Sequence, residues 1–274
     1  MWAPTLRSSC ALRSALARRE EPEISEAIRD AFSADAITVI ERVMPTEVRR
    51  ERDGLTVRAP DREFHAEQLL VATGRRPRSD GLGLESAGVD VGPAGEVLVD
   101  ADLSTTNPRI WAAGDVTGHP QFVYVAAKHG ALAVENAFDQ TGRRIDYRAL
   151  PRITFTNPTI ASAGLTEAQA QQQGIDCECR VLDLENVLRA IVSRNTRGLV
   201  KLVAERESGR LIGAHLLADG AGDAILAAVY AIDAALTVNQ LAASWNPYLT
   251  IGEAIHLAAQ TFTRDVSKLS CCAA

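Results

Sequence analysis

Two cysteines, Cys271 and Cys272, stand side by side near the carboxyl end of the chain, in "TRDVSKLSCCAA". Adjacent thiols close almost no loop, so a disulfide between them would contribute little chain entropy and would strain the peptide joining them. Terminal residues are also the part of a domain least held by packing. The ending "CCAA" fits a loose prenylation pattern, but no basic cluster precedes it, only "DVSKLS". Cys177 and Cys179, in "IDCECRV", alternate onto one face of an expected strand with no third or fourth ligand beside them, and read as spectators. With Cys10 the cysteines number five. That odd, scattered set is no secreted disulfide framework and fits a reducing cytoplasm.

Two apolar runs ending in glycine carry a different chemistry. "LLVATGRRP" and, about 40 residues later, "RIWAAGDV" each read as a strand, and the second delivers Asp115 to a strand's carboxyl end ahead of a small-residue helix. Ligands of open α/β sheets sit at such ends. A carboxylate there accepts hydrogen bonds from sugar-like hydroxyls, while the helix N-terminus offers N–H groups to anionic atoms. Asp is also a routine helix cap, so either motif alone says little. "LIGAHLLADGAGDAI" mimics the start of a G-x-G-x-x-G turn at Gly220 and Gly222 but lacks the third glycine and the later acid, and reads as a plain turn into a helix. His65, His119, His129, His215 and His256 show no metal-ligand spacing.

The elements that must position these residues follow from periodicity. "EPEISEAIRDAFSADA" places Ile24, Ala27, Ile28 and Phe32 at helical spacing behind Pro22. "ITVIERV", "LTVRAP", "EFHAEQLLVATG" and "EVLVD" read as strands broken by turns such as Asp53-Gly54. "FVYVAAKHGALAVENAF" reads as a helix. After a boundary near "TGRRIDYRALP", "ITFTNP" is an expected strand. "TEAQAQQQG" is a helix with a Thr166–Gln169 capping box and a Gly174 stop, and "RGLVKLVAERESGRLIGAHLLA" is a hairpin turning at Ser208-Gly209. "AGDAILAAVYAIDAAL" and "IGEAIHLAAQTF" are helices. The expected architecture is an α/β region followed by an α+β domain with an antiparallel sheet and helices on one side.

The chain has 274 residues, 46% hydrophobic and 23% charged, ample for a core. A net charge of -6 argues against nucleic acid or an anionic membrane as main partner. No apolar run approaches the ~20 residues of a membrane span. The opening "MWAPTLRSSCALRSALARR" is acid-free and superficially like a transit peptide, without a long amphipathic run or a cleavage signature.

Taken together, "ATGRRP" and "AAGDV" resemble the paired motifs of the flavin-dependent pyridine nucleotide-disulfide oxidoreductases. "ITFTNPTIASAGLTEAQA" is similar to the opening of their dimerisation domain. Relatives that exchange dithiols carry "HPT…E" near the end of that domain. Here the stretch is "NPYLTIGE", with Tyr248 in place of the histidine and Glu253 kept. That tyrosine, "QFVYVAA" and the terminal "LSCCA" resemble the mercuric-ion-reducing branch of the family.

The resemblance implies FAD and NADPH as cofactors, with Thr73, Gly74, Gly114, Asp115 and Val123 on the flavin side and Asp115 at its ribityl chain. It implies a homodimer, Hg(II) and small thiols as partners, and neither nucleic acid nor membrane. Hg(II) would pass from Cys271 and Cys272 along Tyr124 and Tyr248, the tail and Tyr248 of one subunit serving the other subunit's flavin. Soft thiolates suit a soft ion handed on by ligand exchange, and such a site needs no histidine base at that point. Tyr124 and Tyr248 also suit a core aromatic with one wet end. The family's glycine-rich turns and C-x-x-x-x-C pair have no counterpart, so the expected organisation is a remnant of the NAD(P)H domain over 1–64, the end of the FAD domain over 65–148 and a dimerisation domain with thiol tail over 149–274. Such a chain is expected to be inactive alone. The alternatives are an isolated dimerisation or soft-metal-binding thiol module, or a fragment of a dihydrolipoamide-dehydrogenase-like enzyme.

Overall fold

The computed structural model describes residues 9–11 and 15–265. It forms two compact units, one of residues 69–146 and one of the described residues on either side of that segment.

The flanking unit is built on a five-stranded antiparallel sheet of β6 (Pro151–Thr154), β7 (Thr159–Gly164), β10 (Leu211–Ala218), β9 (Leu199–Glu205) and β8 (Cys177–Asp183), in that spatial order. Period-two alternation gives the sheet two different faces. Ala161, Ala163, Val200, Leu202, Ala204, Ala214, Leu216 and Ala218 meet Ile225, Ala228 and Ile232 of α5 (Ala221–Asp233) and Ile255, Leu257 and Ala258 of α7 (Glu253–Gln260) in the main core. Each fully buried Leu or Ile contributes roughly 1.5–3 kcal/mol there. The other face carries Ile160, Leu199 and Leu217, covered by Ile24, Ile28 and Ala31 of α1 (Pro22–Ala34), with Ala27 and Phe32 partly buried beside them. Between those apolar positions the same face holds Ser162, His215 and Lys201 in cross-strand register.

Local rules account for the ends of these elements. α3 (Glu167–Gln172) begins with the capping box: Thr166 accepts from the Gln169 amide at 3.2 Å, and the Gln169 side chain accepts from the Thr166 amide at 3.0 Å. It stops before Gly174, whose φ of +74° suits glycine. The β9–β10 hairpin turns through Ser208-Gly209. Short helices α4 (Leu188–Val192) and α6 (Val238–Ala242) complete the C-terminal region. Before it, β1 (Ser9–Ala11) pairs parallel with β2 (Thr38–Ile40) across α1, and β3 (Glu47–Arg50), β4 (Leu55–Ala59) and β5 (Arg62–Ala66) form an antiparallel sheet.

The unit of residues 69–146 has one long helix, α2 (Val123–Val134), which continues into a π turn over Glu135–Asp139. Leu132 and Ala133 pack on Leu103, Val99, Trp111 and Ile145. Here the sequence expectation is corrected. "LLVATG", "RIWAAGDV" and "EVLVD" read as strands, yet β5 ends at Ala66 and the other runs contribute only isolated bridges, Val91 to Val97 and Ser104 to Trp111. An extended apolar run becomes a strand only with a neighbour to share its ladder, and none of the described residues lies alongside these runs as a partner strand. Leu70 and Val71 are accordingly 88% and 69% exposed. Conversely, β3, β7, α4 and α6 form where no element was expected. Among the described residues no helix is long and apolar enough to cross a membrane.

Candidate functional site

The chain reaches Asp115 through a turn that only glycine fits. Ala113 is extended, and Gly114 then turns to φ +76°. A Cβ on Gly114 would lie 3.0 Å from the Ala126 Cβ, so the turn sits hard against the first turns of α2. Both backbone polar groups of buried Gly114 are held by side chains. Its N–H donates to His129 Nδ1 at 3.2 Å, and its carbonyl accepts from the Thr117 hydroxyl at 2.7 Å. A 3₁₀ turn over Gly114–Thr117 projects the half-exposed Asp115 side chain. α2 starts eight residues on, with no side-chain cap on Phe122, so the positive end of its dipole is open to a ligand.

The two expected motifs are joined here by a residue the sequence reading did not name. Arg75 Nη1 lies 3.6 Å from Asp115 Oδ2, and Arg75 Nη2 donates to the Gln121 carbonyl at 2.9 Å. Thr73 and Gly74 precede it on the exposed segment, Gly74 at φ +129°. Val123 is 87% exposed at the first position of α2, and Tyr124 stacks on Phe122 with ring centroids 5.2 Å apart. The signal for Arg75 was present in "ATGRRP" as an arginine next to the glycine.

His129 is fully buried and meets His119 edge to face at 5.6 Å. Burial holds both imidazoles below the ordinary histidine value, and the neighbouring His119 adds to the effect on His129. A neutral His129 is what its bond requires, since only an unprotonated Nδ1 accepts the Gly114 N–H.

Tyr248 belongs to the flanking unit, in the loop before α7, and is 60% exposed. The buried Glu253 carboxylate accepts from the Leu249 amide at 3.2 Å, while Thr250 ties the Pro247 carbonyl and the Glu253 amide. Leu249 is thereby held at φ +61°, and the tyrosine's position is set by Glu253. Cys271 and Cys272 lie outside the described residues, as does the side chain of Cys10. Cys177 and Cys179 are half-buried on β8, and burial together with the Glu167 carboxylate pushes the Cys179 thiol up to about 12. Such a thiol carries little thiolate at neutral pH. No group of three or more His, Cys, Asp or Glu among the described residues is placed to hold a metal.

The Asp115 turn fits the ribityl part of a flavin. It presents an accessible carboxylate for hydroxyl groups, a glycine that lets the backbone come close, and an open helix N-terminus. Gly220 and Gly222 are a poorer match to a phosphate. Gly220 begins α5 at φ +80°, but Asp223 stands in the first turn, where its charge repels an anion.

Comparison with known proteins bears on the family of the chain. Residues 10–130 match the family model described as pyridine nucleotide-disulphide oxidoreductase, and residues 150–259 match its dimerisation domain. The mercuric reductase of Streptomyces lividans is 59% identical over 97% of this chain and 57% of its own length. That of Staphylococcus aureus is 48% identical over 92% of this chain and 47% of its own. The chain therefore spans about half the length of these relatives. Among solved structures, the HOCl-induced flavoprotein disulfide reductase RclA from Escherichia coli superposes with a TM-score of 0.85 at 26% identity, covering 93% of this chain and 59% of that one. LpdA from Mycobacterium tuberculosis gives 0.85 at 26% over 93% and 56%. With two segments of one family in order along it and a fold shared with its flavoproteins, the chain belongs to the pyridine nucleotide-disulphide oxidoreductases, as a homologue of the mercuric reductases.

Proposed function

We propose that this chain is part of a flavin-dependent mercury(II) reductase, supplying one flavin contact, the dimer interface and the Hg(II) capture tail. The observation that carries this reading is the Gly114–Asp115 turn, joined through Arg75 to the Gly74 segment in a chain 59% identical to a mercuric reductase. Residues 1–64 then belong to an NAD(P)H-binding domain, 65–148 to the FAD-binding domain, and 149–274 are the dimerisation domain and tail. The cytoplasm, where thiols stay reduced, is the compartment such a tail needs.

FAD, when bound, would carry electrons from NADPH toward the metal. The residues of this chain bind and orient. Asp115 would accept from ribityl hydroxyls, with Thr73 and Gly74 on the same side. Arg75 fixes the carboxylate without neutralising it in a closed pair, since both groups remain half-exposed. The uncapped N-terminus of α2 at Val123 would supply partial positive charge to an electron-rich group of the cofactor. Cys271 and Cys272 take Hg(II) by ligand exchange: two new S–Hg bonds form, the two bonds to incoming small-molecule thiolates break, and the protons of the cysteine thiols pass to the departing sulfurs. Mercury stays Hg(II) in that step. Tyr124 and Tyr248, both exposed, offer phenol oxygens along the onward path.

The exposed face of α5 supports the dimer. Leu226 and Tyr230 lie one turn apart and are 48% and 64% exposed, two large apolar side chains on the face of α5 turned away from the core. Purified alone, the chain is expected to sediment as a dimer at micromolar concentration and to carry no stoichiometric flavin, because the Asp115 turn is one contact among the several a dinucleotide needs. Leu226→Glu with Tyr230→Glu is expected to give a folded monomer. A folded wild-type monomer would remove the interface from the account, and a stoichiometric yellow protein would remove the view that its flavin site is partial.

A further inference from the structure

We infer that His129 is a positioning residue whose neutral imidazole clamps the Gly114–Asp115 turn, so that the aim of the Asp115 carboxylate depends on the protonation of a buried histidine one helix away. The inference rests on the reading of Asp115 as a flavin contact and extends it to a residue that touches no ligand. Gly114 is the pivot, because its left-handed φ fixes the direction in which Asp115 leaves. Its carbonyl is tied by Thr117, two residues beyond Asp115, within the turn itself. Its N–H is tied to α2 by His129, at 3.2 Å and in a fully buried position. The second bond therefore couples the turn to the helix whose N-terminus faces the same ligand.

Protonation reverses the bond. An imidazolium presents N–H at both nitrogens, so Nδ1–H would point at the Gly114 N–H, two donors with no acceptor between them in a buried place. His119 meets His129 edge to face, and its charge acts on His129 in the same direction as burial. α2 itself carries Tyr124 and Lys128, and the loop below it packs through Leu103 and Trp111. The lowered pKa of His129 keeps the clamp closed at neutral pH. Since the closed form excludes the proton, the clamp weakens as pH falls through the folded-state value.

Hydrogen exchange of the Gly114 amide in the full chain tests this, with protection corrected for the intrinsic rate. In the wild type, protection should hold near neutral pH. Below the pKa of His129 it should then fall about tenfold per pH unit, the slope of one linked proton. His129→Asn places an amide oxygen where Nδ1 stood and should keep the protection while abolishing its pH dependence. His129→Phe should lower it about tenfold or more at every pH, as loss of a buried acceptor does. A wild-type protection that is flat with pH, or unchanged in His129→Phe, overturns the clamp. FAD titrated into the same substitutions in the chain joined to the portion of the Streptomyces lividans mercuric reductase that it does not match, read by flavin fluorescence, separates the clamp from the reading beneath it. Weakened binding in both His129→Phe and Asp115→Ala supports the coupling. An Asp115→Ala protein that binds as the wild type does overturns the flavin reading, whatever the exchange data show.

Discussion

Replacing Lys201 with methionine is expected to destabilise the chain by about 3–5 kcal/mol, the range for breaking a buried ion pair by removing one partner. Lys201 lies in the middle of β9 with its side chain 2% exposed, and its ammonium contacts Glu21 at 3.0 Å, Glu23 at 2.8 Å and Glu167 at 2.9 Å. Burial alone would lower its pKa, but the bonds to Glu23, Glu167 and Glu21 overcome that, so the charge is held above the ordinary lysine value. One cation thus joins the start of α1, the start of α3 and the central sheet. Without it, Glu21, itself 2% exposed, loses its ammonium partner and is left with the Glu167 amide and, at 3.7 Å, the His215 imidazole.

Urea unfolding of wild type and Lys201→Met at neutral pH measures the cost, and a loss under about 0.5 kcal/mol, the scale of ordinary surface changes, would show the seam to be dispensable. The pH dependence has a definite sign. The hydrogen bond from Lys201 holds the Glu167 carboxyl below its ordinary value of 4.5, against a smaller opposing effect of burial. A depressed folded-state pKa contributes stability above the unfolded value that is lost as pH falls through the folded one. Wild type should therefore lose this part of its stability below about pH 4.5, and Lys201→Met should lose less on the same descent.

The second large effect is at the tail. Removing both Cys271 and Cys272 is expected to weaken Hg(II) binding on the order of 10²-fold or more, because the second sulfur of a flexible pair binds at high effective concentration. Cys179 cannot substitute, since its thiol is pushed up to about 12, and it shares a strand with Cys177 that restricts opposed S–Hg–S directions. Competitive titration against a small dithiol reads the difference between the wild type and the Cys271→Ala/Cys272→Ala variant. Single variants should each retain part of the affinity. Equal affinity in the double variant would place the capture site elsewhere.

What could be read from sequence followed the range of the physics. α1, α2, α5 and α7 announced themselves by period and small residues, and the Thr166–Gln169 box and the Ser208-Gly209 turn are local rules that the fold respects. "LLVATG" and "RIWAAGDV" failed as strands because a strand is a property of a pair. Asp115 was legible from its glycine and the helix behind it. Arg75 and His129 were not, because each acts through a contact with a residue far away in sequence. Lys201 did leave a trace, a lone cation in "LVKLV", but nothing in that string says that three glutamates gather on it.

The most direct test of the central proposal is to join this chain to the portion of the Streptomyces lividans mercuric reductase that it does not match and to assay NADPH-dependent loss of Hg(II) as mercury vapour. The chimera is expected to hold FAD and reduce Hg(II), to lose that activity in Asp115→Ala, and to outperform the unjoined chain, which should show no turnover above buffer. A folded, flavin-loaded chimera that leaves Hg(II) unreduced would contradict the assignment.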